Sequence, residues 1–132
     1  MTIKQVLAHV IQAPLQEPFA FSQGWVYRRS SVIVEVVCAD GESGFGECMC
    51  HGMQPPQLAA AFVEHCFAPY VVGRSIFEAE VLWEELYNLC RPFGQQGAAV
   101  NALSGLDIAL WDAIGRHLGQ PVCNLLGGQF RS

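Results

Sequence analysis

Potential metal ligands are concentrated in the segment CMCHG at residues 48–52, which contains Cys48, Cys50 and His51. Structural zinc sites use four ligands, and about two to four residues usually separate their paired cysteines. The spacing C-x-C-H supplies at most three ligands, so a fourth would have to come from elsewhere in the chain. The available residues are His9, His65 and Cys66. A zinc site, and with it a small zinc protein, therefore stays one alternative. The other is that His51 is an ordinary exposed loop histidine.

Carboxylates that could act as an acid or a base occur in two further places. Asp107 and Asp112 lie in an apolar segment, and their spacing puts them on different faces of a helix. Because an unpaired buried carboxylate is very costly, we expect both to bond to backbone groups or to another domain. Glu47 lies at the end of a predicted strand, in the segment DGESGFGEC; this segment resembles a known family motif with a polar residue at that position, which implies a structural role. The glycine-rich pieces GFG and GQQG match no phosphate-binding loop.

The first half of the chain has the pattern of a small sheet. A strand is predicted from Thr2 to Ala13, where Pro14 ends it, and the aromatic segment at residues 14–30 is predicted to be an irregular loop. The next strand alternates, with one apolar face: Val32, Val34, Val36 and Cys38. Asp40-Gly41 is a turn signal, so a hairpin partner should run from about Ser43 to Met49. The sequence thus predicts a three-stranded antiparallel sheet over about residues 2–50.

Helical periodicity follows, over about residues 55–127. A helix should begin near Pro56 and be closed by Pro69 and Gly73. The next should begin with a capping box formed by Ser75 and Glu78. The segment RPFGQQG should end this helix. Five residues of the helix form a stripe that should be buried: Phe77, Val81, Leu82, Leu86 and Leu89. Strands followed by helices predict an α+β fold, in which a three-stranded antiparallel sheet precedes a bundle of three to four helices, all within one domain of residues 1–132.

The longest predicted helix runs from Ala98 to His117 and is stopped by Gly119, and a short last helix opens at Pro121. One stripe of the long helix is apolar: Ala99, Leu103, Leu106, Leu110 and Ile114. Further apolar residues cover much of its remaining surface: Val100, Ala102, Ala109, Trp111 and Ala113. Such a helix should be buried on more than one side. A domain this small has little protein to wrap it, so we expect something outside the chain to pack on it.

The terminal segment SGLDIALWDAIGRHLGQPVCNLLGG, residues 104–128, resembles the end of the N-terminal domain in the mandelate racemase and muconate lactonizing enzyme branch of the enolase superfamily. DGESGFGEC resembles the family's turn and third strand, and PLQEPFAFSQGWV stands where the family has its mobile lid loop. The resemblance covers essentially the whole chain in order. One departure is Arg116, where the family usually has lysine, and the charge is kept.

The resemblance implies that the segment after LLGG leads into a TIM-like barrel of roughly 250 residues. In the family that barrel supplies the lysine or histidine base and the carboxylates that hold Mg²⁺. Since this chain ends at Ser132, we expect a capping domain that contains neither catalytic residues nor metal ligands, and no turnover by the chain alone. With its barrel it would serve Mg²⁺-dependent proton abstraction α to a carboxylate, as a racemase or acid-sugar dehydratase.

The resemblance also points to residues that cover the substrate, a small carboxylate such as a hydroxy acid or an acid sugar. The lid loop contributes Phe19, Phe21, Trp25 and Val26, and the second loop contributes Met49 and His51. A closed lid excludes water and strengthens the electrostatic interactions around the reacting group. The simpler alternative is that the aromatic residues pack against the sheet.

The composition and net charge of the chain indicate which kinds of partner it can have. Charged residues make up only 14% of the chain, against about 25% in an average soluble domain, which indicates a partly covered surface. The partners expected are the barrel domain and further copies in a homo-oligomer. The alternative is a stand-alone binding or homo-oligomeric assembly module. A net charge of −5 argues against nucleic acid. The absence of an apolar span or secretory pattern predicts a cytoplasmic, membrane-free protein with six free thiols.

Overall fold

The computed structural model describes residues 1–131 and contains one antiparallel sheet followed by helices. The strands lie in the order β1-β2-β3: β1 (Ile3–Phe21), β2 (Gly24–Cys38) and β3 (Ser43–Cys48). The helical segments follow: α1 (Pro56–Ala61), a π-helical turn (Phe62–Phe67), α2 (Ala68–Val71), a 3₁₀ turn (Ile76–Glu78), α3 (Ala79–Gly94), α4 (Ala98–Leu118) and α5 (Val122–Leu125). The predicted α+β class and the three-stranded antiparallel sheet are confirmed.

The core lies between the sheet and α4. The predicted apolar face of β2 is buried beneath this helix, since Val32, Val34 and Val36 are 0% exposed. Glycines allow the two layers to approach closely. A Cβ on Gly46 of β3 would overlap the carbonyl oxygen of Gly105 in α4. Backbone therefore lies against backbone where β3 crosses the helix.

Helix α4 is covered mainly by this chain itself, so the expectation that the domain cannot wrap it is wrong. The buried residues occupy several sides of the helix: Ala99, Ala102, Leu103, Gly105, Leu106, Ala109, Leu110, Ala113, Ile114 and Gly115. The close sheet covers one side, and α3 and the helical segment at residues 56–71 cover others. Among its large apolar residues, Ile108 and Leu118 stay half exposed. An outside partner is not needed to explain the composition of α4, which also removes the main reason to infer an oligomer formed through it.

The aromatic segment after Pro14 is not an irregular loop, and this prediction is wrong. Strand β1 continues through both prolines to Phe21 and turns directly into β2. Because β1 is an edge strand, a proline without an N–H can be accommodated there. The pairing shifts between Pro14 and Phe19, which absorbs the irregular stretch as a bulge. The far end of this hairpin, residues 10–30, is here called the ribbon.

The first helix begins at Pro56 as predicted, but Pro69 does not close it. A π-helical turn, in which the N–H of Ala68 bonds to the carbonyl of Val63, joins α1 to α2. Pro69 stands in the first turn of α2, where a missing N–H costs little. Helix α2 ends at Val71, Val72 is extended, and Gly73 follows with a φ of +88° that suits glycine.

Helix α3 differs from its prediction at both ends. Ser75 caps as expected, but its Oγ accepts from the N–H of Phe77 at 3.3 Å. Glu78 bonds to Nε of Arg74 at 2.7 Å, so the reciprocal capping box is absent. The helix continues through Pro92 to Gly94 instead of ending at Cys90, before RPFGQQG. Its buried stripe also differs from the predicted one, because Phe77 and Val81 are half exposed. The residues that are buried are Ala79, Leu82, Leu86 and Cys90.

Helix α4 ends as predicted at Gly119, which adopts a left-handed conformation with φ of +62°. The short helix α5 follows Pro121, and Gly127 and Gly128 come after it with positive φ. Within residues 1–131, none of the helices combines the length and the apolar character needed to cross a membrane.

Candidate functional site

The tip of the ribbon places the predicted lid residues on adjoining strands. Phe19 pairs with Val26, and Phe21 pairs with Gly24 beside the two-residue turn. The guanidinium of Arg29 lies 5.0 Å from the ring centroid of Phe19, a cation–π contact. Phe19 is 38% exposed, so its ring is held by one neighbour and is still accessible at the surface.

The β3–α1 loop, residues 49–55, lies against this tip. The rings of Phe21 and His51 meet edge to face with centroids 5.1 Å apart. A Cβ on Gly52 would come within 2.8 Å of Cγ2 of Val26, so glycine permits the loop to lie on the ribbon. Val26 itself is 1% exposed. The structure therefore brings Phe21, Val26 and His51 together, with Val26 as the buried support of the loop.

Trp25 and Met49 lie apart from that contact. Trp25 stacks on Tyr27 with centroids 6.3 Å apart, and both rings are more than half exposed. Met49 is 63% exposed and lies toward the outer side of the sheet. The six predicted site residues thus all lie at the ribbon end of the domain, but they face in more than one direction.

Two concave surfaces flank the ribbon. The outer groove, of about 700 Å³, has this lining: Ile11, Ala13, Arg29, Ser30, Ser31, Glu47, Met49, Cys50 and Ile108. The ribbon cavity, of about 390 Å³, lies between the ribbon and the loop, and has this lining: Gln12, Trp25, Tyr27, Arg28, Ser30, Gly52, Met53, Gln54, Pro55, Pro56 and Gln57. Met49 belongs to the first surface and Trp25 to the second.

Residues that the sequence did not single out complete the ribbon cavity. Arg28 and Gln54 both line it, and the side-chain Nε2 of Gln54 is buried without a hydrogen-bond partner among the described residues. The sequence did contain one signal, since Arg28-Arg29 is the only adjacent basic pair in the chain. Nothing in the sequence pattern marks Gln54, because its burial depends on how the loop folds back.

The cysteines of CMCHG pack rather than present thiolates. Cys48 is buried and its Sγ donates to the carbonyl of Ala102 at 3.9 Å. Burial raises the pKa of the Cys48 thiol to about 12, and it also raises the pKa of the Cys50 thiol. No cluster of three or more His, Cys, Asp or Glu residues within positions 1–131 could hold a metal ion. All six cysteines are free, and the zinc alternative has no support in this geometry.

The two aspartates of α4 have different environments. Asp112 is hydrogen-bonded as expected, since its Oδ2 accepts from the N–H of Phe45 at 2.9 Å and from Nε of Arg116 at 2.8 Å. Asp107 lies nearer to α3. Burial and the charge of Glu80 raise the pKa of its carboxyl, and a hydrogen bond from Trp111 opposes them. The pair does not share a site.

The open face of the sheet carries polar contacts between strands. Glu35 lies between two donors, accepting from Ser43 Oγ at 2.8 Å and lying 2.8 Å from His9 Nε2. These hydrogen bonds lower the pKa of its carboxyl. Because the carboxylate separates serine from histidine, this is not a nucleophilic triad, which needs the base on the hydroxyl. Glu47 accepts from Ser31 Oγ at 2.5 Å, a structural bond between β2 and β3.

Fold and site together define a two-layer α+β domain that presents an aromatic hairpin tip and one loop at the same end. The chain belongs to the family described as the mandelate racemase / muconate lactonizing enzyme N-terminal domain, whose model matches residues 4–127. The family resemblance noted in the sequence is thereby confirmed.

Relatives in this family include enzymes that act on acid sugars by name. The chain is 38% identical over 131 residues to the D-galactarolactone cycloisomerase of Agrobacterium fabrum, covering 99% of this chain and 33% of that protein. It is 32% identical over 100 residues to the arabinonate dehydratase of Saccharolobus solfataricus, covering 76% and 26%. It therefore spans about a third or less of these relatives' length.

A solved structure agrees with this fold. The mandelate racemase/muconate lactonizing protein of Paracoccus denitrificans, complexed with magnesium, matches with a TM-score of 0.77 at 30% identity. The match covers 98% of this chain and 31% of that one.

Proposed function

We propose that this chain is the capping domain of an enzyme that abstracts a proton α to the carboxylate of an acid sugar or related hydroxy acid. The reaction would be completed as a racemisation, a dehydration or a cycloisomerisation, depending on the barrel. Support comes from the family match and from the relatives named as a cycloisomerase and a dehydratase. The observation that carries the proposal is the contact of Phe21 with His51, which gathers the ribbon tip and the β3–α1 loop into one aromatic edge.

In this proposal the ribbon tip and the loop close over the substrate. Phe19, Phe21 and Trp25 offer exposed or partly exposed rings that would exclude water from the reacting centre. His51 and Met49 would contact the substrate from the loop. Val26 would act indirectly, since its buried side chain supports Gly52 and so sets the position of the loop.

The partner in this proposal is a barrel domain that provides the base. One relative is complexed with magnesium, but the residues described here do not form a set that fits the metal. Magnesium would therefore be held outside this chain, and no step performed by these residues passes through it. On this basis the chain alone should not turn over an acid sugar.

A chimera tests the proposal. This chain replaces the matching N-terminal third of the D-galactarolactone cycloisomerase of Agrobacterium fabrum, and kcat/KM is measured with D-galactarolactone and magnesium. We expect turnover by the chimera and none by the chain alone. Phe21→Ala should lower kcat/KM about tenfold or more, because water then reaches the site.

Tyr70→Ala is the matched control, since Tyr70 is an aromatic residue on α2 that is 55% exposed and lies away from the ribbon. Its kcat/KM should stay within about twofold of the parent chimera. Equal values for Phe21→Ala and Tyr70→Ala, or turnover by the isolated chain, would refute the proposal.

A further inference from the structure

Strand β3 forms one edge of the sheet, because within residues 1–131 it pairs with β2 alone. An edge strand presents backbone groups with which another strand can pair, and proteins often block it with a proline, a bulge or an extended charge. Strand β3 contains no proline, and its register with β2 is continuous from Ser43 to Cys48. Its one charged residue, Glu47, bonds to Ser31 of β2. The outer edge of β3 therefore needs another form of protection.

Helix α4 supplies that protection with one carboxylate. Oδ2 of Asp112 accepts a hydrogen bond from the backbone N–H of Phe45, in the middle of β3, at 2.9 Å. Because this N–H bonds to a side chain of α4 instead of joining the ladder with β2, it belongs to the outer edge of the sheet. The carboxylate occupies the position that the carbonyl group of an added strand would take.

Arg116 holds the carboxylate in this position. Its Nε donates to the same Oδ2 of Asp112 at 2.8 Å, from one turn further along α4. Its guanidinium carbon lies 5.7 Å from the ring centroid of Phe45, so the arginine also covers the residue that is capped. A hydrogen bond to a charged acceptor is stronger than one to a neutral carbonyl. An added strand would have to replace the first with the second.

Without the cap, the edge of β3 would fit a second copy of itself. The sequence Gly44-Phe45-Gly46 reads the same in both directions, so an antiparallel pair centred on Phe45 places the two phenylalanines opposite each other. Such a pair exchanges two backbone hydrogen bonds, and its aromatic rings meet on one face of the sheet. Glu47 would lie opposite Ser43 of the second copy, so no like charges would be opposed.

We infer that Asp112 keeps the edge of β3 closed to a second copy of this chain. The carboxylate takes up the central N–H of the edge, and Arg116 fixes the carboxylate beside it. Loss of the carboxylate would free that N–H and open the edge to antiparallel pairing. The inference concerns this edge alone and does not depend on the proposed capping function.

Asp112→Ala tests the inference in the 132-residue chain. The molar mass is measured by sedimentation velocity over about a hundredfold range of concentration, because association follows mass action. We expect a dimer fraction that rises with concentration and exceeds that of the parent about tenfold or more at equal concentration.

Asp107→Ala is the matched control, because it removes the same charge from the same helix without touching the edge of β3. Its dimer fraction should stay within about twofold of the parent's. The double variant Asp112→Ala/Phe45→Pro removes the freed N–H itself, and its dimer fraction should return to the parent's value. Proline at position 45 leaves the ladder with β2 in place, since the N–H that it lacks faces outward.

Hydrogen exchange in the parent tests the cap without any substitution. The N–H of Phe45 bonds to Asp112, and the N–H of Glu47 faces the same way by alternation along β3. We expect the amide of Phe45 to exchange about tenfold or more slowly than that of Glu47. Unchanged NMR shifts on β2 verify that each variant is folded.

Four results would overturn the inference. The first is a Phe45 amide that exchanges as fast as that of Glu47, and the second is an Asp112→Ala chain with the parent's dimer fraction. The third is equal association of Asp112→Ala and Asp107→Ala, because the lost charge alone would then explain it. The fourth is a dimer of Asp112→Ala that survives Phe45→Pro.

Discussion

The crossing of β3 over α4 and the end of the ribbon differ in how far their side chains are buried. At the crossing, glycines bring backbone against backbone, and Leu106 and Val34 are 0% exposed. At the ribbon end, Trp25 and Tyr27 are more than half exposed although both are large and apolar. Burial of apolar area drives folding, so the first region carries the stability. The second region contributes little to it, and its side chains are available for recognition.

The largest expected effect is at the crossing. Gly46→Ala puts a methyl group into the carbonyl oxygen of Gly105, which is backbone and cannot rotate away. We expect a loss of about 3 kcal/mol or more in the free energy of unfolding, measured by urea denaturation. A loss below about 0.5 kcal/mol would mean that the two layers are not in close contact.

A cavity in the core should have the next largest effect. Leu106→Ala removes a fully buried side chain and should cost about 2–5 kcal/mol in urea denaturation. Trp25→Ala removes a larger side chain from the ribbon end, and we expect a change within about 0.5 kcal/mol. The comparison between the two regions fails if both substitutions cost the same.

Asp107→Asn should raise stability at pH 7. Because burial and Glu80 raise the pKa of Asp107 above its usual value of 3.8, its ionised form is disfavoured in the folded state. Stability is therefore lost as the pH rises from below 3.8 through the folded pKa, and the amide removes that loss. Asp112→Asn is the opposite control, since it weakens the bond to Arg116. Urea denaturation at pH 3 and pH 7 should show the gain for Asp107→Asn at pH 7 only.

The smallest effect is expected on the open face of the sheet. Hydrogen bonds to His9 and Ser43 lower the pKa of Glu35 below its usual value of 4.5. Their contribution is present above pH 4.5 and is lost as the pH falls through the folded pKa. Glu35→Gln should therefore reduce stability near neutral pH, and the difference from the parent should shrink in acid. A difference that does not change with pH would contradict this assignment of the carboxylate.

Local patterns in the sequence were sufficient where one element decides the structure. The alternating valines of β2, the turn at Asp40-Gly41 and the stop at Gly119 were each predicted and are each present. The hairpin after Pro14 was missed because the two prolines were taken to end the strand. Proline is tolerated on an edge strand, but the position of β1 at the edge depends on the tertiary structure and could not be known from the local pattern. The wrapping of α4 was underestimated for the same reason, since the close approach through Gly46 depends on the packed sheet.

The role of the six candidate residues at a substrate stays a prediction, and the structure shows only where they lie. The family resemblance located the lid residues at the ribbon and the loop, and the contact of Phe21 with His51 brings the two segments together. The orphaned amide of Gln54 could not be inferred, because it arises from the way residues 49–55 fold onto the ribbon.

The central claim is that the β3–α4 crossing provides stability and the ribbon end provides recognition. One variant, measured in two ways, tests it most directly. In Phe21→Ala, we expect the urea midpoint of the 132-residue chain to stay unchanged, while kcat/KM of the chimera falls about tenfold or more. A chimera that keeps its full kcat/KM, or a chain whose midpoint falls together with the activity, would contradict it.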